Sequence, residues 1–217
     1  MLLKYVVVAL LSFSVSLSGK TSYALQLFEP QILDTIRSTY GEAALTRVER
    51  WRDLLEQGQS ESDWIRLNKV NSFFNNQIRF KSDPEHWGQA DYWATPLETL
   101  ATAAGDCEDF AIAKYVSLRA MGVPDAKLRI MYVRALSVNE PHMVLIYMET
   151  DQSVPLVLDN IVKKVLPATR RPDLKPVYGF NAEGLWLAKA HGLGRKVEGK
   201  TGGSNWQELL NRIEKGM

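Results

Sequence analysis

Three residues in this sequence could together perform nucleophilic chemistry: Cys107, His142 and Asp159. Cys107 is the only cysteine, and the residues that follow it have the spacing of a helix that begins near Asp106. A thiolate at the start of a helix is stabilised by unpaired amides, and those amides can also stabilise an oxyanion. His142 could accept the thiol proton while Asp159 orients the imidazole, which is the arrangement of a Cys-His-Asp triad.

Each of these three residues also has a simpler interpretation when it is taken alone. A single cysteine is often a buried packing residue, and a histidine that opens an apolar strand is often part of the core. Asp159 and Asn160 could form a turn. The combination favours chemistry, because a nucleophile at a helix start with His and Asp on facing strands is a working catalytic geometry.

Three acidic residues surround the cysteine: Asp106, Glu108 and Asp109. Negative neighbours should raise the pKa of a thiol, and a bound cation would reverse that effect. Clustered carboxylates are hard oxygen ligands of the kind that Ca²⁺ prefers, so these residues are candidate calcium ligands. The alternative is that Asp106 caps the helix while the other two acids interact favourably with its dipole.

The apolar pattern divides the chain into a helical half and a half of strands. After Pro124 the period changes, and residues 128–133, 142–148 and 156–162 are predicted strands. On these strands we expect His142 to share a face with Val144, and Asp159 with Val157. The fold class is therefore α+β, with a helical N-terminal half packed on an antiparallel sheet. Between residues 30 and 80, two helical stripes are expected in the core: Leu45, Val48, Trp51 and Leu55, then Trp64, Leu67, Val70 and Phe74.

The ends of the chain predict export and one folded domain. Lys4 precedes an uncharged apolar run at residues 5–17, and small residues precede a cut after Ala24, as in a secretory signal. The run is shorter than the roughly 20 apolar residues that a spanning helix needs, so stable membrane insertion is not expected. We expect a signal peptide at 1–24, a domain at 25–190 and a flexible tail at 191–217 with a short helix from Ser204. For a bacterial protein with such a signal, the predicted location is the periplasm.

The sequence argues against two kinds of ligand, nucleic acids and nucleotides. The formal net charge is +1, and no basic stretch carries interleaved aromatic residues, so nucleic acid is not an expected partner. Residues 194–201 match the phosphate-loop pattern G-x-x-x-x-G-K-[ST]. That loop requires a strand before it and a helix after it, whereas here Gly202 and Gly203 follow. The segment is interpreted as a linker.

The candidate residues lie in motifs that resemble the bacterial transglutaminase-like cysteine proteinases. The resemblance covers about residues 65–190, and no catalytic position is substituted. Three motifs match the catalytic blocks of that family, and two match flanking blocks: DCEDFA at 106–111, EPHMV at 140–144 and LVLDN at 156–160, then DYWATP at 91–96 and PVYGFN at 176–181.

The resemblance implies a papain-like or transglutaminase-like protease core and a calcium-dependent endopeptidase. It implies that Cys107, His142 and Asp159 form the triad and that Asp106, Glu108 and Asp109 bind Ca²⁺. The implied substrate is the N-terminal region of a large surface adhesin, cut at two adjacent alanines, so that the adhesin is released and the biofilm disperses. The implied inhibitory partner is the periplasmic domain of an inner-membrane cyclic di-GMP receptor.

Two alternatives remain open from the residues. A transglutaminase or an amidase could use the same triad, because all of these enzymes pass through an acyl-enzyme thioester. A calcium-dependent binding module could keep the fold without catalysis.

Overall fold

A computed structural model describes residues 27–189, 192–198 and 202–214 of the chain. The predicted signal peptide at 1–24 lies outside these residues. In the described part no helix is long and apolar enough to cross a membrane. Seven α-helices are described: α1 (Pro30–Tyr40), α2 (Glu42–Gly58), α3 (Asp63–Gln77), α4 (Asp83–His86), α5 (Pro96–Thr102), α6 (Cys107–Ala120) and α7 (Ser204–Glu214).

Both apolar stripes predicted near the N-terminus lie on helices, and all but one of their residues are buried as predicted. The four apolar residues predicted on α2 are buried, as are Leu67, Val70 and Phe74 on α3. Trp64 is 55% exposed, so its prediction as a core residue was wrong. It is the second residue of α3, where the helix has only begun to pack, and the stripe becomes buried from the next turn onward.

The strands form two sheets of very different size. The first is a short parallel pair, and the second has seven antiparallel strands in the order β6-β5-β4-β3-β7-β8-β9. The predicted α+β class is confirmed, because six of the seven described helices precede the large sheet and the helices pack against one of its faces. The pair consists of β1 (Arg79–Phe80) and β2 (Ala104–Gly105), and the large sheet of β3 (Leu128–Ala135), β4 (Glu140–Tyr147), β5 (Leu156–Leu158), β6 (Leu166–Pro167), β7 (Leu174–Asn181), β8 (Gly184–Lys189) and β9 (Gly192–Val197).

Helix α6 is the centre of the molecule, because it packs between α3 and strand β4. Ten of its residues in succession, from Asp109 to Leu118, are buried. The main core lies between the helices and one face of the sheet, where Met143, Leu145 and Tyr147 of β4 contribute. A smaller apolar cluster that includes Val144 and Ile146 covers the opposite face. This packing fixes the N-terminus of α6 against β4.

The segment after residue 190 contains more regular structure than the sequence suggested. The glycine-rich stretch was expected to be flexible, yet Gly192–Val197 forms β9 and pairs with β8. Part of the phosphate-loop pattern therefore lies in a strand, which agrees with rejecting a nucleotide site. Helix α7 begins at Ser204 as predicted, and it buries Trp206, Leu209 and Ile213 in the main core. The division into a domain at 25–190 and a tail at 191–217 stays a prediction.

Candidate active site

The start of helix α6 is fixed by the carboxylate of Asp109. Its Oδ2 accepts the backbone N–H of Asp106 at 3.3 Å, and its Oδ1 accepts the backbone N–H of Ala94 at 2.8 Å. A side chain at Gly105 would not fit, because its Cβ would lie 2.7 Å from Asp109 Oδ2. Asp109 therefore joins the loop before α5 to the turn that presents Cys107.

Cys107 is the first residue of α6 and is partly buried beside strand β4. Its thiol donates to Glu108 Oε2 at 3.0 Å. Burial raises the pKa of the Cys107 thiol, and the charge and hydrogen bond of Glu108 and the charge of Asp106 raise it further. The backbone N–H of Met143 donates to the sulfur and lowers that pKa. The sulfur thus contacts the residue that follows His142 on β4.

His142 and Asp159 form a buried pair. His142 Nε2 lies 2.8 Å from Asp159 Oδ1, and both side chains are almost inaccessible to solvent. With its proton on Nε2, the imidazole donates to the carboxylate, and Nδ1 is left as the basic nitrogen. The structure thus brings His142 and Asp159 into direct contact and places Cys107 against the main chain next to His142.

Asp159 is also held by a buried cation. Arg171 Nη2 donates to Asp159 Oδ2 at 2.6 Å and to Asp173 Oδ2 at 2.7 Å. Burial alone would raise the pKa of Asp159. The hydrogen bond and charge of His142, the Ile161 N–H and Arg171 outweigh that effect and hold the pKa well below its usual range. Asp159 is therefore a carboxylate at neutral pH.

The end of strand β5 explains where Asp159 lies. β5 pairs with β4 through Leu145–Leu158, Ile146–Val157 and Tyr147–Leu156, and it ends at Leu158. Asp159 was expected within a strand that continues to residue 162, on one face with Val157. It instead follows the strand directly, and its Oδ1 accepts the backbone N–H of Ile161 at 3.0 Å. This local turn aims the carboxylate at His142.

The acids beside Cys107 belong to two overlapping carboxylate clusters. Asp83, Asp106 and Asp109 place one oxygen each within 4.8 Å of one another, and so do Asp83, Asp91 and Glu108. Buried oxygens of Asp83 and Asp106 have no hydrogen-bond partner among the described residues. Such unpartnered carboxylate oxygens fit a hard cation such as Ca²⁺.

Without a cation, Asp106 and Asp109 favour their protonated forms. Burial and the charges of Glu108 and Asp109 raise the pKa of Asp106 to about 10. Burial is also the main cause that raises the pKa of Asp109 to about 8, although the N–H groups of Ala94 and Asp106 oppose it. A bound cation would lower the pKa values of both carboxyl groups, because its positive charge stabilises the carboxylate forms.

The sequence alone did not identify Asp83, Asp91 and Arg171. Asp83 begins the short helix α4, and Asp91 lies in the loop before α5, well before the cysteine motif in the chain. Their carboxylates meet those at α6 only after folding. Arg171 lies in an Arg-Arg-Pro segment that has the composition of an exposed turn. Asp91 could have been proposed from the sequence, because it is the first residue of the flanking family motif at 91–96.

Helix α7 contacts the loop that carries Asp91. Asn205 Nδ2 donates to Asp91 Oδ2 at 2.8 Å, and Arg212 Nη1 donates to the Tyr92 hydroxyl at 2.6 Å. Arg212 also forms an ion pair with Glu98 at 3.0 Å. The C-terminal helix therefore supports one of the two carboxylate clusters from outside.

Comparison with protein families assigns this arrangement to a known class. Residues 46–173, more than half of the chain, match the family of bacterial transglutaminase-like cysteine proteinases. The chain therefore belongs to that family, and the predicted family and protease fold are confirmed. A comparison with curated proteins finds no match.

Two solved structures of Legionella pneumophila LapG are similar to this chain over most of its length. One is described as calcium-bound and the other as EGTA-treated. Each shares 43% sequence identity with this chain over 84% of its residues, with a TM-score of 0.72. The match covers 98% of the calcium-bound chain and 96% of the EGTA-treated chain.

Proposed function

We propose that this protein is a calcium-dependent, exported cysteine endopeptidase that cleaves the N-terminal region of a large surface adhesin. The observation that carries the proposal is the buried His142–Asp159 pair, together with Cys107 at the start of a helix, where its sulfur accepts the backbone N–H of Met143, the residue after His142. Membership of a cysteine proteinase family gives this geometry its reaction class.

In the proposed reaction, His142 Nδ1 takes the proton of Cys107, and the thiolate attacks the carbonyl carbon of the scissile peptide bond. Amides at the start of α6 stabilise the oxyanion that forms. The imidazolium then protonates the leaving amine, and a thioester remains on Cys107. His142 next activates water, which hydrolyses the thioester and regenerates the thiol. Asp159 keeps the imidazole in the required tautomer throughout.

Calcium is proposed as the resident cation of the acidic clusters. Asp106, Glu108 and Asp109, joined by Asp83 and Asp91, would hold it. The related LapG structure is described as calcium-bound, and carboxylate oxygens are the ligands that Ca²⁺ prefers. When bound, the ion supplies positive charge that offsets the acids next to the thiol.

The proposed location and partners follow from the resemblance to LapG and from the predicted signal peptide at 1–24. The protease would act in the periplasm on the adhesin, and cleavage would release the adhesin and disperse the biofilm. The periplasmic domain of an inner-membrane cyclic di-GMP receptor would bind and inhibit the protease.

The proposal is tested by incubating an adhesin N-terminal fragment from the same organism with wild type and with Cys107→Ala. Each protein is assayed with Ca²⁺ and with a chelator, and the products are identified by mass spectrometry. We expect one discrete cut, made only by wild type with Ca²⁺. If wild type with Ca²⁺ leaves the fragment intact, the adhesin is not the substrate.

The alternative functions are tested with the same two proteins and other assays. A transglutaminase would incorporate a labelled primary amine into the fragment without creating a new N-terminus, and an amidase would cleave cell-wall amides. A non-catalytic binding module would bind Ca²⁺ and show none of these reactions.

A further inference from the structure

Helix α6 carries a buried lysine two turns after Cys107. Lys114 is completely inaccessible to solvent. Because an α-helix has 3.6 residues per turn, residues 107 and 114 point to the same side of α6. Lys114 Nζ donates to Asn75 Oδ1 at 2.9 Å and lies 5.5 Å from the centre of the Phe110 ring.

Asn75 of helix α3 connects this lysine to the candidate active site. Its Nδ2 donates to the backbone carbonyl oxygen of Asp159 at 2.8 Å. A lysine ammonium can only donate, so it requires the oxygen of the Asn75 amide to face it. The amide nitrogen must then face the Asp159 carbonyl. Lys114 thus fixes the orientation in which Asn75 holds Asp159.

We propose that Lys114 and Asn75 are positioning residues that hold the main chain of Asp159 in place relative to Cys107. This inference rests on the proposed function, in which Asp159 orients His142. Neither residue touches the reacting atoms. The connection runs from the helix that bears Cys107, through a buried amide, to the turn that bears Asp159.

Energetics argue against a purely structural role for Lys114. A protein is usually less stable with a buried amine that lacks a carboxylate partner than with an apolar side chain of the same shape. Burial lowers the pKa of Lys114 to about 7, although the charge of Asp159 opposes this shift. Both the ammonium and the neutral amine can donate to Asn75 Oδ1, and the Asp159 carbonyl can only accept from Asn75 Nδ2, so the same amide orientation is kept in either state.

The two contacts are tested with Asn75→Leu, Lys114→Met and the double variant. Asn76→Leu is the matched control, because Asn76 is exposed on the same helix and its side chain donates, within the part of the chain that the structure describes, to Ser72 alone at 3.2 Å. The readout is the rate of Cys107 alkylation by iodoacetamide at pH 7 with saturating Ca²⁺. Melting temperatures establish that each variant is folded.

We expect Asn75→Leu and Lys114→Met each to slow alkylation by about tenfold to a hundredfold, since small misplacements of catalytic groups have effects of that size. The double variant should be no slower than the slower single variant, because both changes break one connection. Rates equal to that of Asn76→Leu in folded variants would overturn the inference, and so would losses that multiply.

A second readout separates this inference from the proposed function. The NMR signal of the His142 Nε2 proton should move or broaden in Asn75→Leu, because a loosened Asp159 no longer holds the 2.8 Å contact between Nε2 and Oδ1. This substitution leaves the net charge unchanged, so the change in the signal reports geometry. An unchanged signal overturns the positioning role. If His142→Ala is alkylated as fast as wild type, the proposed triad fails, whatever the NMR signal of His142 does in Asn75→Leu.

Discussion

The two carboxylate oxygens of Asp159 bind different groups. Oδ1 accepts from His142 and from the Ile161 N–H, while Oδ2 accepts from Arg171. An asparagine at this position would offer only one acceptor oxygen. Its amide nitrogen would therefore oppose either Arg171 or His142.

Asp159→Asn is expected to impair both catalysis and stability. The wrong imidazole tautomer should lower kcat by about 10²–10⁴, the range of a general base, and an opposed buried donor costs about 1–3 kcal/mol. Cleavage kinetics and urea unfolding measure the two effects. Asp173→Asn is the control, because Asp173 shares Arg171 with Asp159 but is partly exposed, and among the described residues its carboxylate is bonded to Arg171 and not to His142. Equal losses in the two variants would contradict the assigned role of Asp159.

The candidate triad could be proposed from sequence because its members are chemically distinctive. The chain has one cysteine and three histidines, so the choice of nucleophile and base was narrow. Aspartates and arginines are numerous, and their roles depend on which side chains folding brings together. Asp83 and Arg171 therefore became visible only in the structure.

At the element scale, α4, the following loop and the start of α6 jointly form the acidic clusters. Asp83 belongs to both clusters and is almost completely buried. Asp83→Asn should therefore weaken Ca²⁺ binding by about tenfold or more, because a charged ligand is lost. Isothermal titration calorimetry measures this, with Glu85→Gln on the same short helix as control, since Glu85 is exposed. Equal affinities in the two variants would exclude Asp83 as a ligand.

Calcium affinity should rise with pH. Metal ligands must be deprotonated, and without the ion the pKa of Asp109 is about 8 and that of Asp106 about 10. Raising the pH toward 8 removes protons that Ca²⁺ would otherwise have to displace. Calorimetry in buffers of different ionisation enthalpy should detect proton release upon binding, which should become smaller as the pH rises. Affinity that is constant from pH 6 to pH 8 would contradict these protonation states.

At the scale of the whole molecule, the order of helices followed by strands could be predicted, but the extent of the sheet could not. Residues 128–133 and 142–148 are largely apolar and were predicted as strands, and β3 and β4 cover all of them except residue 148. β6 has two residues, and β9 lies in a glycine-rich stretch without alternation. These two strands form because they pair with neighbouring strands, and not because their own residues strongly prefer the strand conformation.

Helix α7 should contribute to the stability of the whole fold. Trp206 is fully buried and packs edge-on against Tyr115 and Phe180, with ring centroids 5.4 Å apart in both cases. Trp206→Ala should destabilise the protein by about 3–5 kcal/mol. Trp64→Ala, at an exposed position, should change stability by no more than about 0.5 kcal/mol. Urea unfolding of both variants is the measurement, and similar losses would contradict the described packing of α7.

Activation of Cys107 by His142 can be measured without a substrate. Wild type and His142→Ala are alkylated with iodoacetamide at pH 7 in saturating Ca²⁺, and labelling of Cys107 is followed by mass spectrometry. If His142 takes the thiol proton, wild type should react at least about tenfold faster, because the thiolate is the reacting species. Equal rates in two folded proteins would contradict the catalytic assignment and favour a calcium-binding module.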